Sequence, residues 1–272
     1  MRRRTAVALS SAALCSVVLT GCGGSSGKDQ PAAAASSSAP VTATASATPT
    51  TSVGAKVPAA DLATRVQAAI RSAGDVQIGI SESSSRGTGV LDVRTSALKA
   101  SLTIKDGPDL IKAVVLPGVM YLNSGEVVAG KHWVKLSGTL HAAQLKTARA
   151  SIIGGVAVVS PGLMAGSWRS AGTFTTGATT VIGGENTTEY AATVPKAAFL
   201  AAFPAEARRT MKLSGDTKVW VWLNAQSLPL KIEIVTAYTE GDETDTTTYS
   251  KWGHAAAITL PPSRDVLSSS KF

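Results

Sequence analysis

The chain has 272 residues, 44% of them hydrophobic and 16% charged, with a formal net charge of +8 and two cysteines. Beyond residue 4 no run of Lys or Arg is longer than Arg208-Arg209, and such dispersed charge argues against a nucleic-acid partner while remaining compatible with anionic lipid head groups. Cys15 and Cys22 both fall near the N-terminus, so the rest of the chain has neither a disulfide framework nor a Cys-based metal site.

Arg2, Arg3 and Arg4 form a short positive segment, followed by an uncharged, largely apolar stretch over residues 5–19. That length fits the apolar region of a signal peptide and falls short of the ~20 residues a membrane-spanning helix needs. The stretch ends in Leu19-Thr20-Gly21-Cys22. These four residues match the bacterial lipobox, and residues 1–21 resemble a lipoprotein signal peptide cleaved between Gly21 and Cys22. Small residues before the cysteine let the peptide bond enter a protease site, and the Cys22 thiolate is the nucleophile that takes the acyl-glycerol group. Cleavage removes three positive charges and Cys15. The anchored Cys22 would place the chain on the extracytoplasmic face of the cell membrane.

Residues 22–56 are then almost entirely Gly, Ser, Ala, Thr and Pro, with nothing to bury, and predict a disordered tether spanning roughly 30 Å. The folded domain is expected over 57–265, and 266–272 as a flexible tail. Some 200 residues suffice for one hydrophobic core.

Pro58 opens a helical pattern in which Leu62, Val66, Ala69 and Ile70 share a face, and Gly74 ends it. Val76, Ile78 and Ile80 then alternate with polar or small residues, as do Leu98, Ala100, Leu102 and Ile104, which predicts half-buried strands. Short strands fit 111–116, 119–122 and 132–136, with a Pro117-Gly118 turn. Residues 140–153 read as a helix. The glycine-broken apolar stretch 154–166 reads as an irregular segment, either a buried connection between helices or a mobile, membrane-facing element. Strand patterns resume over 173–182 and 185–194 around a Gly183-Gly184 turn, and Pro195 starts a short helix carrying Phe199, Leu200 and Phe203. Strands over 217–223, 230–237, 246–252 and 257–260 close the series. In the first of these, Val219, Val221 and Leu223 interleave with Trp220 and Trp222, so both faces must be covered. Many hairpin-linked strands with a few helices define an α+β fold with an antiparallel sheet.

Several segments carry a further resemblance: Gly130-Lys131-His132-Trp133-Val134-Lys135-Leu136, Glu189-Tyr190-Ala191-Ala192-Thr193-Val194, Val219-Trp220-Val221-Trp222-Leu223, Leu228-Pro229-Leu230-Lys231, and Gly253-His254 leading to Pro261-Pro262. Together they resemble the actinobacterial LppX/LprA/LprF/LprG-like lipoproteins, which share a fold with the LolA and RseB periplasmic proteins. The resemblance implies a strongly curved antiparallel sheet, a half-barrel with helices on its concave face. It also implies an apolar cavity that accepts the acyl chains of a lipid or glycolipid. Inward strand positions Ile78, Ile80, Leu102, Ile104, Val134, Leu136, Ile232 and Ile234 are the candidate cavity wall.

Other motifs carry less. Residues 125–131 have Walker A spacing, but His132 stands where Ser or Thr must bind magnesium, and a strand follows instead of a helix. Ser96-Ala97-Leu98-Lys99 has the Ser-x-x-Lys spacing of penicillin-recognising enzymes, but it sits in a strand pattern without the companion motifs. His132, His141 and His254 are not spaced as metal ligands. Glu240, Asp242, Glu243 and Asp245 suggest a solvated acidic hairpin tip. Neither a catalytic pair nor a cofactor is therefore nominated. Two readings stay open: a non-enzymatic lipoprotein binding a lipid or other hydrophobic ligand, and an anchored sensor or interaction module with an envelope protein partner. Cys22→Ala is expected to leave the precursor uncleaved and unlipidated, read as a slower gel band that no longer takes up labelled fatty acid.

Overall fold

The computed structural model describes residues 52–125, 130–140, 143–209 and 211–268. Gly21, Cys22 and His141, and most of the 125–131 motif, lie outside them. The strands are β1 (Lys56–Pro58), β2 (Asp75–Ser81), β3 (Ser85–Asp92), β4 (Ala100–Asp106), β5 (Asp109–Leu116), β6 (Val119–Asn123), β7 (Trp133–Ser137), β8 (Thr173–Ile182), β9 (Glu185–Val194), β10 (Leu213–Leu223), β11 (Pro229–Tyr238), β12 (Gly241–Ser250) and β13 (Val266–Ser268). The helices are α1 (Ala59–Ala73), α2 (Ala143–Val159), α3 (Pro161–Trp168), α4 (Lys196–Ala201) and α5 (Ala205–Arg208).

All strands join one open sheet in the order β1-β8-β9-β10-β11-β12-β2-β3-β4-β5-β6-β7-β13. Neighbours are antiparallel except β13, which runs parallel to β7. The period-2 patterns explain the inner face. Val76, Ile78 and Ile80 are buried while Asp75, Gln77, Gly79 and Ser81 between them are half-buried, and Leu230, Ile232 and Ile234 repeat this on β11. Gly183 and Gly184 have φ of 59° and 87°, the paired positive values that a two-residue hairpin requires between β8 and β9.

Helix α1 buries the stripe Leu62, Ala63, Val66 and Ile70, and Gly74 at φ 90° turns its N–H back to the Ile70 carbonyl. The core is one continuous cluster running from Phe174, beside one sheet edge, through α1–α5 to Val134 and Leu136 near the other. Flat, β8 and β7 would stand about ten strand spacings or roughly 48 Å apart, whereas α2 is about 26 Å long. One thin helical layer reaches both ends because the sheet curls around it, as the half-barrel expectation requires.

Three expectations change. Residues 154–166 are regular helix: α2 runs through Gly154-Gly155 and turns by 73° into α3 at Ser160-Pro161. A Cβ at Gly154 would meet only that of Ala207 on α5, at an ordinary 3.6 Å, so no close approach requires glycine there; burial of Val156, Ala157 and Val159 offsets the ~1 kcal/mol that a helical glycine costs. The bend is fixed from the sheet side, where the buried Tyr249 hydroxyl donates to the Val159 carbonyl at 3.0 Å. Among the described residues, no single helix is long and apolar enough to cross a membrane.

Second, 257–260 is not a strand. This segment crosses the outer face of the sheet, against Ser101, Thr103, Lys112, Val114 and Trp133, where no free strand edge exists to pair with. It covers Val114, buried although it points outward, and delivers the chain through a 3-10 turn at Ser263–Asp265 to β13, which occupies part of the expected tail. Lys131, from the Walker-like motif, donates to the Arg264 carbonyl of that turn.

The outer face of β10, expected to need cover, is roofed by side chains. Trp222 is covered by its cross-strand partner Lys231, whose Nζ lies 4.1 Å from the ring centroid and 2.9 Å from Glu233.

Third, the acidic residues near 240 are not all at a hairpin tip. Asp245 is half-buried on β12, and burial, then the charges of Glu82 and Glu243, push its carboxyl up to about 7. Tyr238 faces the same group, and Arg86 nearby donates to Ser81 at 3.0 Å rather than to these acids. No group of three or more residues suited to hold a metal ion occurs among the described residues. Between the unfolded value of ~4 and about 7, the folded chain holds a proton that the unfolded chain has lost, so stability falls as pH rises through that window. Asp245→Asn should therefore melt several degrees above wild type at pH 8 and level with it at pH 4, by thermal denaturation.

Candidate functional site

The C-terminal half of α1, the bend between α2 and α3, and α4 do not close on one another. They leave a groove of about 480 Å³ whose remaining lip is the end of β3 and the β3–β4 loop. Its existence follows from side-chain size. Ser160, Gly162, Gly166 and Ser167 line it from the bend, and Ala198 and Ala202 from α4. A Cβ at Gly162 would meet nothing within 4 Å, and one at Gly166 only the Gln67 amide nitrogen at 3.5 Å. Larger residues at these places would fill the space as they do elsewhere in the core.

The floor is apolar: Ile70, Leu91, Val93 and Val156 are all buried. The mouth is polar, with Arg71, Thr95, Ser96, Arg169 and Ser170 exposed. Its geometry is fixed by a relay through Gln67. That side chain donates to the Gly162 carbonyl at 3.2 Å and accepts from Arg169 Nη2 at 2.9 Å, while Arg169 Nη1 donates to the Thr64 hydroxyl at 3.2 Å. Across the mouth, Asp92 accepts from the Arg94 backbone N–H at 3.1 Å and the Lys99 ammonium at 3.3 Å, with the Arg94 guanidinium at 3.5 Å. Burial works to raise the Asp92 carboxyl, but these partners outweigh it and hold it below the usual carboxylate range.

The Ser96-Ala97-Leu98-Lys99 motif lies in this lip. It is a loop rather than strand, since β4 begins at Ala100, and its Lys99 ammonium is spent on Asp92. His132 and His254 are exposed and lie outside the groove lining.

The eight residues expected to form a cavity wall sit elsewhere. Ile78, Ile80, Leu102, Val134, Leu136, Ile232 and Ile234 are buried in the central cluster, and half-buried Ile104 packs against it. None lines the groove, and Leu102 borders a separate cavity of about 250 Å³ beneath residues 259–262. Strand alternation locates the inner face of the sheet, but the space lies between helices. The signal for it is the set of Gly, Ala and Ser residues interspersed over 154–170, in the glycine-broken stretch where departure from the resembled family marks a place for a cavity mouth.

No family model and no curated protein matches the chain. Among solved structures, it is similar to LprF from Mycobacterium bovis, at 12% identity over 75% of this chain and 96% of that one, with a TM-score of 0.48. It is likewise similar to the Mycobacterium tuberculosis lipoprotein LppX, at 14% identity over 73% and 98%, with a TM-score of 0.46. Both belong to the group that the sequence resembles. A weaker likeness, with a TM-score of 0.34 at 11% identity over 72% and 96%, links it to the hypothetical protein CT021 from Chlamydia trachomatis.

Gly162→Leu and Ala198→Leu should fill the groove without unfolding the chain. Their expected signature is an unchanged melting temperature with a several-fold loss of binding of an environment-sensitive apolar dye, measured by fluorescence titration.

Proposed function

We propose that this chain is a lipid-anchored, extracytoplasmic lipoprotein that holds a lipid or other hydrophobic ligand and carries it within the cell envelope. Cys22 supplies the anchor, and the domain beyond residue 56 supplies the binding site. The observation that carries the reading is the groove, about 480 Å³ in volume, with an apolar floor and a polar mouth. That size falls within the ~300–1,000 Å³ of small-molecule sites.

The physical requirement is an enclosed apolar hollow. An acyl chain leaving a bilayer must find surroundings as apolar as the lipid it left, since each exposed CH₂ costs about 0.8 kcal/mol. For sixteen carbons that is roughly 13 kcal/mol, beyond what a shallow surface contact returns. A buried apolar floor with the charged groups at the rim supports this reading, and the role asked of the protein is binding rather than bond making.

Native mass spectrometry of residues 22–272 carrying Cys22→Ala, expressed without the segment 1–21, tests the reading. A co-purified species of lipid mass, reduced in the Ala198→Leu variant, is expected. A clean apoprotein mass, together with no uptake of tail-labelled lipid from vesicles, would overturn it, and capture of one stoichiometric envelope protein in its place would favour a sensor.

A further inference from the structure

We infer that the ligand is an anionic amphiphile, its acyl chain in the groove and its phosphate held at the mouth by Arg71 and Arg169. The inference rests on the ligand-binding reading above and adds the chemistry of the head group.

The argument is one of charge balance around the rim. Asp92 is the only carboxylate among the groove-lining residues, and its charge is already met by Lys99 and Arg94 at 3.3 and 3.5 Å. Arg94 is further engaged by Asp75 at 2.7 Å. Arg71 and Arg169 form no ion pair among the described residues. Two positive charges are therefore left uncompensated at the entrance to an apolar hollow.

The placement of Arg169 is a second, independent feature. Thr64 and Gln67 hold its guanidinium, and both are neutral acceptors. They orient the group without cancelling its charge, so the loss of side-chain freedom that binding would impose is largely met before the ligand arrives. Thr64, Gln67 and Arg71 stand at i, i+3 and i+7 of α1 and so share one face. The helix thus presents Arg71 on the same side as the residues that fix Arg169, and both line the mouth. Guanidinium groups offer paired donors that match phosphate oxygens. A zwitterionic or neutral head group would leave the excess charge unmet.

The test uses the same 22–272 chain carrying Cys22→Ala and phosphatidylcholine vesicles containing a trace of tail-labelled lipid, either phosphatidylglycerol or phosphatidylcholine of the same chain length. Trace labelling keeps the vesicle surface neutral, so long-range attraction does not favour one probe. Label transferred to protein is read after the vesicles are removed. Wild type should take up phosphatidylglycerol about tenfold better than phosphatidylcholine, the scale of a charge-assisted contact. Arg71→Gln with Arg169→Gln should bring the ratio close to one, with phosphatidylglycerol uptake falling more than that of phosphatidylcholine, whose choline already balances its phosphate. Arg71→Gln alone, which breaks no ion pair of the fold, should lower the ratio and guards against misfolding of the double variant. Lys105→Gln with Lys218→Gln, exposed charges outside the groove, should leave the ratio unchanged.

Equal uptake of both lipids by wild type would overturn the head-group inference and leave the ligand-binding reading standing. So would an equal loss of preference in the Lys105 and Lys218 control, or full displacement of the labelled phosphatidylglycerol by glycerol phosphate, which would mark a site for the free anion. Uptake of neither lipid would overturn the ligand-binding reading itself.

Discussion

The inner face of a thirteen-stranded sheet is a large apolar surface, and five helices, two of them only six and four residues long, are all that the described chain provides to cover it. A flat sheet would leave much of that face wet, at a cost of about 25 cal/mol for each Å² of apolar area. Curling brings both ends of the sheet to the same helices, and the single cluster from Phe174 to Leu136 is the result. Everything else follows from how well so thin a layer fills the hollow. Where α1 and α2 present Leu, Val and Ile, the hollow is packed. Where the α2–α3 bend and α4 present Gly, Ser and Ala, space remains.

This division explains which parts of the molecule were legible from the residues alone. Strand positions with a strict period of two, such as Val76-Ile78-Ile80 and Ile232-Ile234, gave the sheet and its inner face directly, because alternation is a local property of the chain. Helix α1 was equally plain from its apolar stripe and its terminal glycine. The groove was not, because a cavity is made by what neighbouring elements fail to supply, and small side chains on α3 and α4 signal it only once their packing partners are known. The inward strand residues were assigned to a cavity wall since the face they share was correct, yet helices had already claimed that face. Gly154-Gly155 likewise predicts a helix break, yet the helix continues because burial of Val156, Ala157 and Val159 around it outweighs the low intrinsic propensity of glycine.

The outer face obeys the same accounting by different means. Trp222 demanded cover, and it comes from Lys231 on the next strand, itself held by Glu233. At the other end of the sheet, the irregular segment up to Pro262 lies over Val114 and Trp133. Neither device requires a second layer of secondary structure, which is why the fold remains a single sheet with helices on one side only.

The two ends of that sheet have a consequence of their own. An open sheet normally exposes a row of free N–H and C=O groups along each margin, and neighbouring molecules can zip together there. Here the terminal strands β1 and β13 are three residues each, and Pro58 in β1 has no N–H to offer. A terminal strand of three residues offers a second copy of the chain little backbone to pair with.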